Sequence, residues 1–146
     1  MADQFTVLVQ AAIAGGPSTS ASHSLQLTAY DRVSITLEGT DKDDPTKPVS
    51  DPANNNVPSI EVEVQPTSAT ERVAVLAITS DRYSVDLVYS VDGGAEDIGL
   101  DHAHVFIGAG AIALLKAAPK KLTFRNGMGA GQSANITILA GRQATA

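Results

Sequence analysis

Apolar residues recur at every second position along most of the chain. The sets are Phe5, Val7, Val9, Ala11 and Ile13; Leu25 and Leu27; Val33, Ile35 and Leu37; Ile60, Val62 and Val64; Val73, Val75 and Ala77; Val85, Leu87 and Tyr89, or the opposite register with Val88; Leu122 and Phe124; and Ile136 and Ile138. Successive side chains of a strand point to opposite faces, so this period predicts half-buried β-strands. Turn chemistry separates them at Gly15-Gly16-Pro17-Ser18, Tyr30-Asp31, Gln65-Pro66-Thr67-Ser68, Ser80-Asp81, Asp92-Gly93-Gly94, Ala118-Pro119 and Asn126-Gly127. Asp92-Gly93 and Asn126-Gly127 are the strongest hairpin signals, because both pairs tolerate the positive φ of a tight turn between twisted strands. About eight to ten short strands with regular punctuation predict a mainly antiparallel β-sandwich or jelly-roll-like fold, one domain over residues 1–146.

Two stretches depart from the alternation. Gly108 to Pro119 is rich in Ala and Leu and ends at a proline, which suits a short helix, yet it also fits a buried strand continuing from His104-Val105-Phe106-Ile107. The fold therefore carries at most one short helix. Residues 39–58 hold four prolines, several acids and few apolar side chains, so they predict a long polar loop that projects from the domain, is mobile over 41–56 in the isolated protein, and could be ordered by a partner chain.

Composition narrows the class of object. The chain is 43% hydrophobic, but 22 of its 146 residues are Ala, and only three Phe and three Tyr supply aromatic area. A binding site of stacked rings would compete with the core for those six side chains. Cysteine is absent, which removes disulfide scaffolds, Cys-ligated zinc and thiol nucleophiles. The N-terminal residues lack the basic region of a signal peptide, and the apolar run 109–115 is far short of the ~20 residues of a membrane helix. The expectation is a protein without membrane association, cytoplasmic at synthesis.

Charge is divided along the chain. All 16 acids lie in residues 1–101 beside five of the cations, whereas residues 102–146 hold Lys116, Lys120, Lys121, Arg125 and Arg142 and no acid. Either this makes a charge map by which copies meet, or the basic residues pair with acids on neighbouring strands.

Candidate chemistry is sparse. His102 and His104 are two apart, the spacing that puts both imidazoles on one face of a strand, with His23, Asp97 or Asp101 as further ligands. Without a ligand triad they read as structural or interface residues, and no metal or other cofactor is expected. Asp41, Asp43, Asp44 and Asp51 supply hard oxygens suited to calcium, but the glycine and distal glutamate of a calcium loop are missing, so a solvated loop or an interface is expected. Gly127 to Ser133 resembles a phosphate-cradling loop in composition only, because a strand rather than a helix follows it. Lys116, Lys120, Lys121 and Arg125 make a basic patch too small, on a chain of net charge −6, to favour nucleic acid.

The functional expectation is a non-enzymatic structural subunit of a homo-oligomer, trimer or larger, of the kind found in the virion of a bacterial virus as a capsid decoration or tail protein. Another structural protein of the same assembly is a further partner. Two alternatives stand beside it: a lectin-like binding module using the 41–56 loop, and a small β-barrel enzyme acting on an apolar substrate with Tyr83, Tyr89, His102 or His104 in its lumen.

Overall fold

A computed structural model describes residues 3–65, 71–94, 96–115 and 119–144. Ten strands follow one another: β1 (Asp3–Ala12), β2 (Ser18–Leu27), β3 (Ala29–Leu37), β4 (Ser59–Glu63), β5 (Glu71–Ser80), β6 (Ser84–Val91), β7 (Ile98–Leu100), β8 (His104–Ile107), β9 (Lys121–Asn126) and β10 (Ala134–Ala144). One short helix, α1 (Ala109–Ile112), lies between β8 and β9 and continues as a single 3-10 turn. The Ala/Leu-rich stretch is therefore helical at its start, where Gly108 at φ 89 breaks the strand ahead of it.

Every strand pair is antiparallel, and the strands form two four-stranded sheets in the orders β3-β10-β5-β8 and β4-β9-β6-β7. Their inner faces share one apolar core, in which Leu37, Leu76, Ile78, Ile136 and Ile138 meet Leu87, Tyr89, Leu100, Leu122 and Phe124. The fold is the expected mainly-β sandwich. Each fully buried side chain of this kind stabilises by about 1.5–3 kcal/mol, which explains how a core with two fully buried aromatics, Tyr89 and Phe124, suffices. Tyr89 stands opposite Phe124 across the β6–β9 pair, with ring centroids 5.6 Å apart.

The alternation is interrupted in two of the described strands: β6 shifts register against β7 between Ser84 and Val88, where Val85 is exposed, and β5 carries an extra residue. β5 pairs with β10 as Val75↔Gly141 and then Val73↔Arg142, so Ala74 is an extra residue and the phase changes there. Ile78, Leu76 and Val73 join the core, whereas Val75 and Ala77 lie on the outer face. The set Val73, Val75, Ala77 is thus not one face, and a bulge is invisible to a period-two count.

Asn126-Gly127 is not a hairpin. β9 and β10 belong to different sheets, and Asn126 is the corner between them: its buried amide donates to the carbonyls of Leu37 and Gln132 while its Oδ1 accepts from the Met128 N–H. Asp92-Gly93 does make a tight turn after β6, with φ 51 and 71.

The 39–58 segment does not project. Val49 and Val57 pack on Val88, on the outer face of the β4-β9-β6-β7 sheet, as a second small core. Asn54, 2% exposed, holds the segment together by accepting from the Asp44 N–H at 2.7 Å and donating to the Pro48 carbonyl at 2.8 Å. Lys42 reaches Asp86 on β6 at 3.2 Å. Two valines, one buried amide and four prolines, which lower the entropy of the unfolded segment, order what composition alone marks as loose. Asn54→Ala should therefore lower stability by roughly 1–3 kcal/mol, the cost of leaving buried partners unsatisfied, whereas Asn56→Ala, at an exposed position, should cost about 0.5 kcal/mol or less. Urea midpoints at unchanged m-value would check both.

Candidate functional site

The remaining strands, β1 and β2, form a sheet of their own. They pair in register over ten residues each, from Asp3↔Leu27 to Ala12↔Ser18, and the five-residue turn between them is closed by Gly16 N–H to the Ile13 carbonyl, with Gly15 at φ 71. Residues 8–24 are exposed along both strands. Sequence alternation places Phe5, Val7, Val9 and Ala11 in a half-buried strand of the sandwich; the structure instead stands them on an arm that leaves it.

Register gives this arm two unlike faces. Phe5, Val7, Val9 and Ala11 stand opposite Leu25, His23, Ala21 and Thr19, an apolar face, while the reverse carries Gln4, Thr6, Gln10 and four serines of β2 around a single Leu8. Val9 is 47% and Ile13 66% exposed. A two-stranded ribbon is marginally stable alone in water, and exposed edges are ordinarily protected by charge. Here Gln4 to Tyr30 is a run of 27 residues without Lys, Arg, Asp or Glu. That uncharged run is the signal that distinguishes this pattern from an ordinary half-buried strand.

The arm is fixed at its base. The Thr28 N–H donates to the Arg142 carbonyl at 2.9 Å, Gln143 Nε2 donates to the Gln26 carbonyl at 3.0 Å, and the buried Arg142 guanidinium donates to Asp31 at 2.7 Å and to the Val64 carbonyl at 3.1 Å. Leu27 lies over Gly141, where any added Cβ would meet its Cδ1 at 2.7 Å, so the glycine makes room for the joint.

Beyond Leu27 the outer face of the β3-β10-β5-β8 sheet is also apolar. Two adjacent cross-strand rows, Tyr30–Gly141–Val75–Ile107 and Arg32–Leu139–Ala77–Val105, contain one charge. Tyr30 is 56% and Val105 50% exposed. Asp3, Gln4, Phe5, Leu27, Tyr30 and Leu139 line a hollow of about 400 Å³ between the arm's base and these rows.

The histidines form a different arrangement. The His104 ring packs edge-on to Tyr89, whose hydroxyl lies 2.8 Å from Nδ1, and its Nε2 faces Asp101 at 3.7 Å. Desolvation, the largest single influence, pushes the Asp101 carboxyl up, but its own backbone N–H and the two histidines together outweigh it and hold the carboxyl below the ordinary value, as an acceptor. An anion at Nε2 favours the proton there, so Nδ1 accepts from Tyr89, whose burial pushes the phenol up and keeps it protonated. His102 is almost fully exposed, at 3.5 Å from the other oxygen of Asp101. Tyr83 lies apart, its hydroxyl accepting from the Ser80 N–H. No group of three or more metal-ligating side chains gathers among the described residues.

The acids of the 39–58 segment serve its turns. Asp44 accepts from the Thr46 hydroxyl and N–H, which hold its carboxyl below the ordinary value, and Asp51 accepts from the Ala53 N–H. The Asp41 backbone carbonyl accepts from Asn56, and Asp43 is exposed. They are spread along the segment rather than aimed at one point.

Of the basic candidates, Lys121 pairs with Glu61 at 3.2 Å on the adjacent β4, and Arg142 with Asp31 on β3. The Lys120 and Lys121 N–H groups both donate to Asp92. Arg125 is half-buried beside Pro48, Ser50 and Asp51, and Lys116 lies outside the described residues. Charge divided along the sequence is thus partly rejoined across neighbouring strands, and the apolar face of the arm, with Tyr30 and Val105 of the adjoining rows, is left exposed by its own chain.

Tyr89→Phe, which keeps the ring and deletes the donor to His104, should lower stability by about 1–2 kcal/mol in urea denaturation with the fold retained in far-ultraviolet circular dichroism. No protein-family model, curated protein or solved structure matches this chain.

Proposed function

We propose that the protein is a non-enzymatic structural subunit that assembles with copies of itself, in a closed ring of three or more. The observation that carries this reading is the arm: a two-stranded ribbon exposed over residues 8–24, uncharged from Gln4 to Tyr30 and apolar on one face, a form that is stabilised by a neighbour and not by its own sandwich. Such an element suits a building block, because the free part of the arm, about seven residues of each strand, extends its reach by about 23 Å at 3.3 Å per residue.

The arm and the apolar rows of the outer sheet are different surfaces, so copies joined through such unlike patches associate head to tail, which closes into rings or continues as a stack. Within this class, the virion of a bacterial virus, as a capsid decoration or tail component, suits a short cysteine-free β-sandwich with a reaching arm. That finer assignment rests on likeness of architecture to role. No helix among the described residues is long and apolar enough to cross a membrane, which leaves association through protein surfaces as the simplest use of the apolar area.

Light scattering at micromolar concentration should give a mass of three or more times the 15.0 kDa of the chain, only partly reduced by high salt because the contact is apolar. A constant mass near that of one chain, across dilution, would refute the reading.

A further inference from the structure

We infer that the acceptor for the arm is the outer face of the β3-β10-β5-β8 sheet of a second copy, whose rows through Tyr30, Leu139, Ala77 and Val105 receive Val7, Val9, Ala21 and Ile13. This rests on the self-assembly proposed above and names the two surfaces that make it.

Three observations select this occupant. Both surfaces are largely apolar and nearly uncharged, with Val9, Ile13, Tyr30 and Val105 exposed, Leu139 and Ala77 half-buried and only Val75 and Gly141 already covered, so a second copy matches them in chemistry without any further partner. They are also continuous: the arm's apolar face runs through Leu25 into Leu27, which already sits on Gly141 of the outer rows. The contact that a copy would make is therefore an extension of one the chain makes with itself. Finally, the area is sufficient where each copy both gives and receives an arm. The free part of the arm, about seven residues of each strand, is roughly 23 Å long and 10 Å wide, and covering it removes on the order of 400 Å² from each partner. One such contact, about 800 Å² in total, is below the usual size of a stable interface, whereas a copy that both gives and receives an arm, with one partner or with two neighbours in a ring, is held by two contacts totalling about 1,600 Å².

The arm cannot use its own sheet. Its strands pair with each other along one edge each and with no strand of the sandwich, and beyond the joint at Thr28, Arg142 and Asp31 residues 8–24 are exposed. Side-chain chemistry also favours packing by the face over pairing by the edge. Edge pairing would leave the apolar face and the outer rows both in water, while face packing covers both at once.

The chain has no cysteine, so two can be introduced cleanly. Val9→Cys and Val105→Cys proteins are refolded together, oxidised and resolved without reductant, beside Val9→Cys alone and Val9→Cys with Glu61→Cys on the opposite sheet. The expected result is a disulfide-linked dimer in the first mixture at several-fold the yield of either control. In parallel, Val7→Asp/Val9→Asp, outside the core, should keep the wild-type thermal transition of the sandwich and reduce the mass in light scattering to that of one chain. Dimer formation by Val9→Cys alone would overturn the sheet as acceptor in favour of arm-to-arm pairing. A wild-type oligomer that gives no cross-link and keeps its mass in the Asp variant would overturn the arm's role while leaving self-assembly intact. A wild-type monomer would overturn both, and would assign the arm to a partner of another sequence.

Discussion

The structure depends on β10 being held along both of its edges. β10 pairs with β3 over nine positions on one side and with β5 on the other, and its inner residues Ala134, Ile136, Ile138 and Ala140 are buried against the facing sheet. The last strand thereby joins the first strand of the sandwich to its middle, across more than a hundred residues of sequence. Such long-range pairing costs loop-closure entropy before it returns any contact, so the sandwich forms late and as a unit. The same strand fixes the arm, because Gly141, Arg142 and Gln143 at its end make the joint with Leu27, Thr28 and Gln26. Arg142 is the costliest part of that joint. Its charge is buried, and the Asp31 carboxylate and Val64 carbonyl are what make the burial tolerable.

Alternation made the strands legible because it reflects a physical requirement: one face dry and one face wet. It located β3, β4, β6, β9 and β10 and the antiparallel sandwich they build. It failed where the backbone departs from a simple ladder. The extra residue Ala74 in β5 reverses which side chains face inward, and nothing in the apolar count marks it. The corner at Asn126 failed for a different reason, since Asn-Gly suits a tight hairpin and an inter-sheet turn equally well, and the choice was made by the carbonyls of Leu37 and Gln132 that its amide reaches.

The 39–58 segment and the arm were misread in opposite senses. Polar composition marked the segment as projecting, yet Val49 and Val57 find Val88, and one buried asparagine supplies the bonds that a strand would supply elsewhere. Apolar alternation marked the arm as buried, yet it stands in solvent. A period of two states that a face needs covering, and it does not state by which chain. The candidate residues chosen for their charge fared accordingly. Asp44 and Asp51 hold turns, Lys121 and Arg142 pair with carboxylates on the neighbouring strand, and charge patterning along the chain says little about charge patterning in space.

Charge was informative where it was missing. Sheet edges are a hazard because their unpaired N–H and C=O groups accept any other strand, and proteins ordinarily defend them with lysine, proline or a bulge. The body of this protein keeps acids and bases along its exposed strands, among them Glu61, Glu63, Arg72 and Arg32, whereas the arm from Gln4 to the joint carries none. An element that omits the defence over 27 residues, while its neighbours keep it, gains no stability in isolation from that omission. The omission becomes favourable only where each apolar position is matched by another apolar surface and each charge would be a buried, unpaired cost. The rows through Tyr30, Leu139 and Val105 are such a surface, and they begin where the arm itself begins.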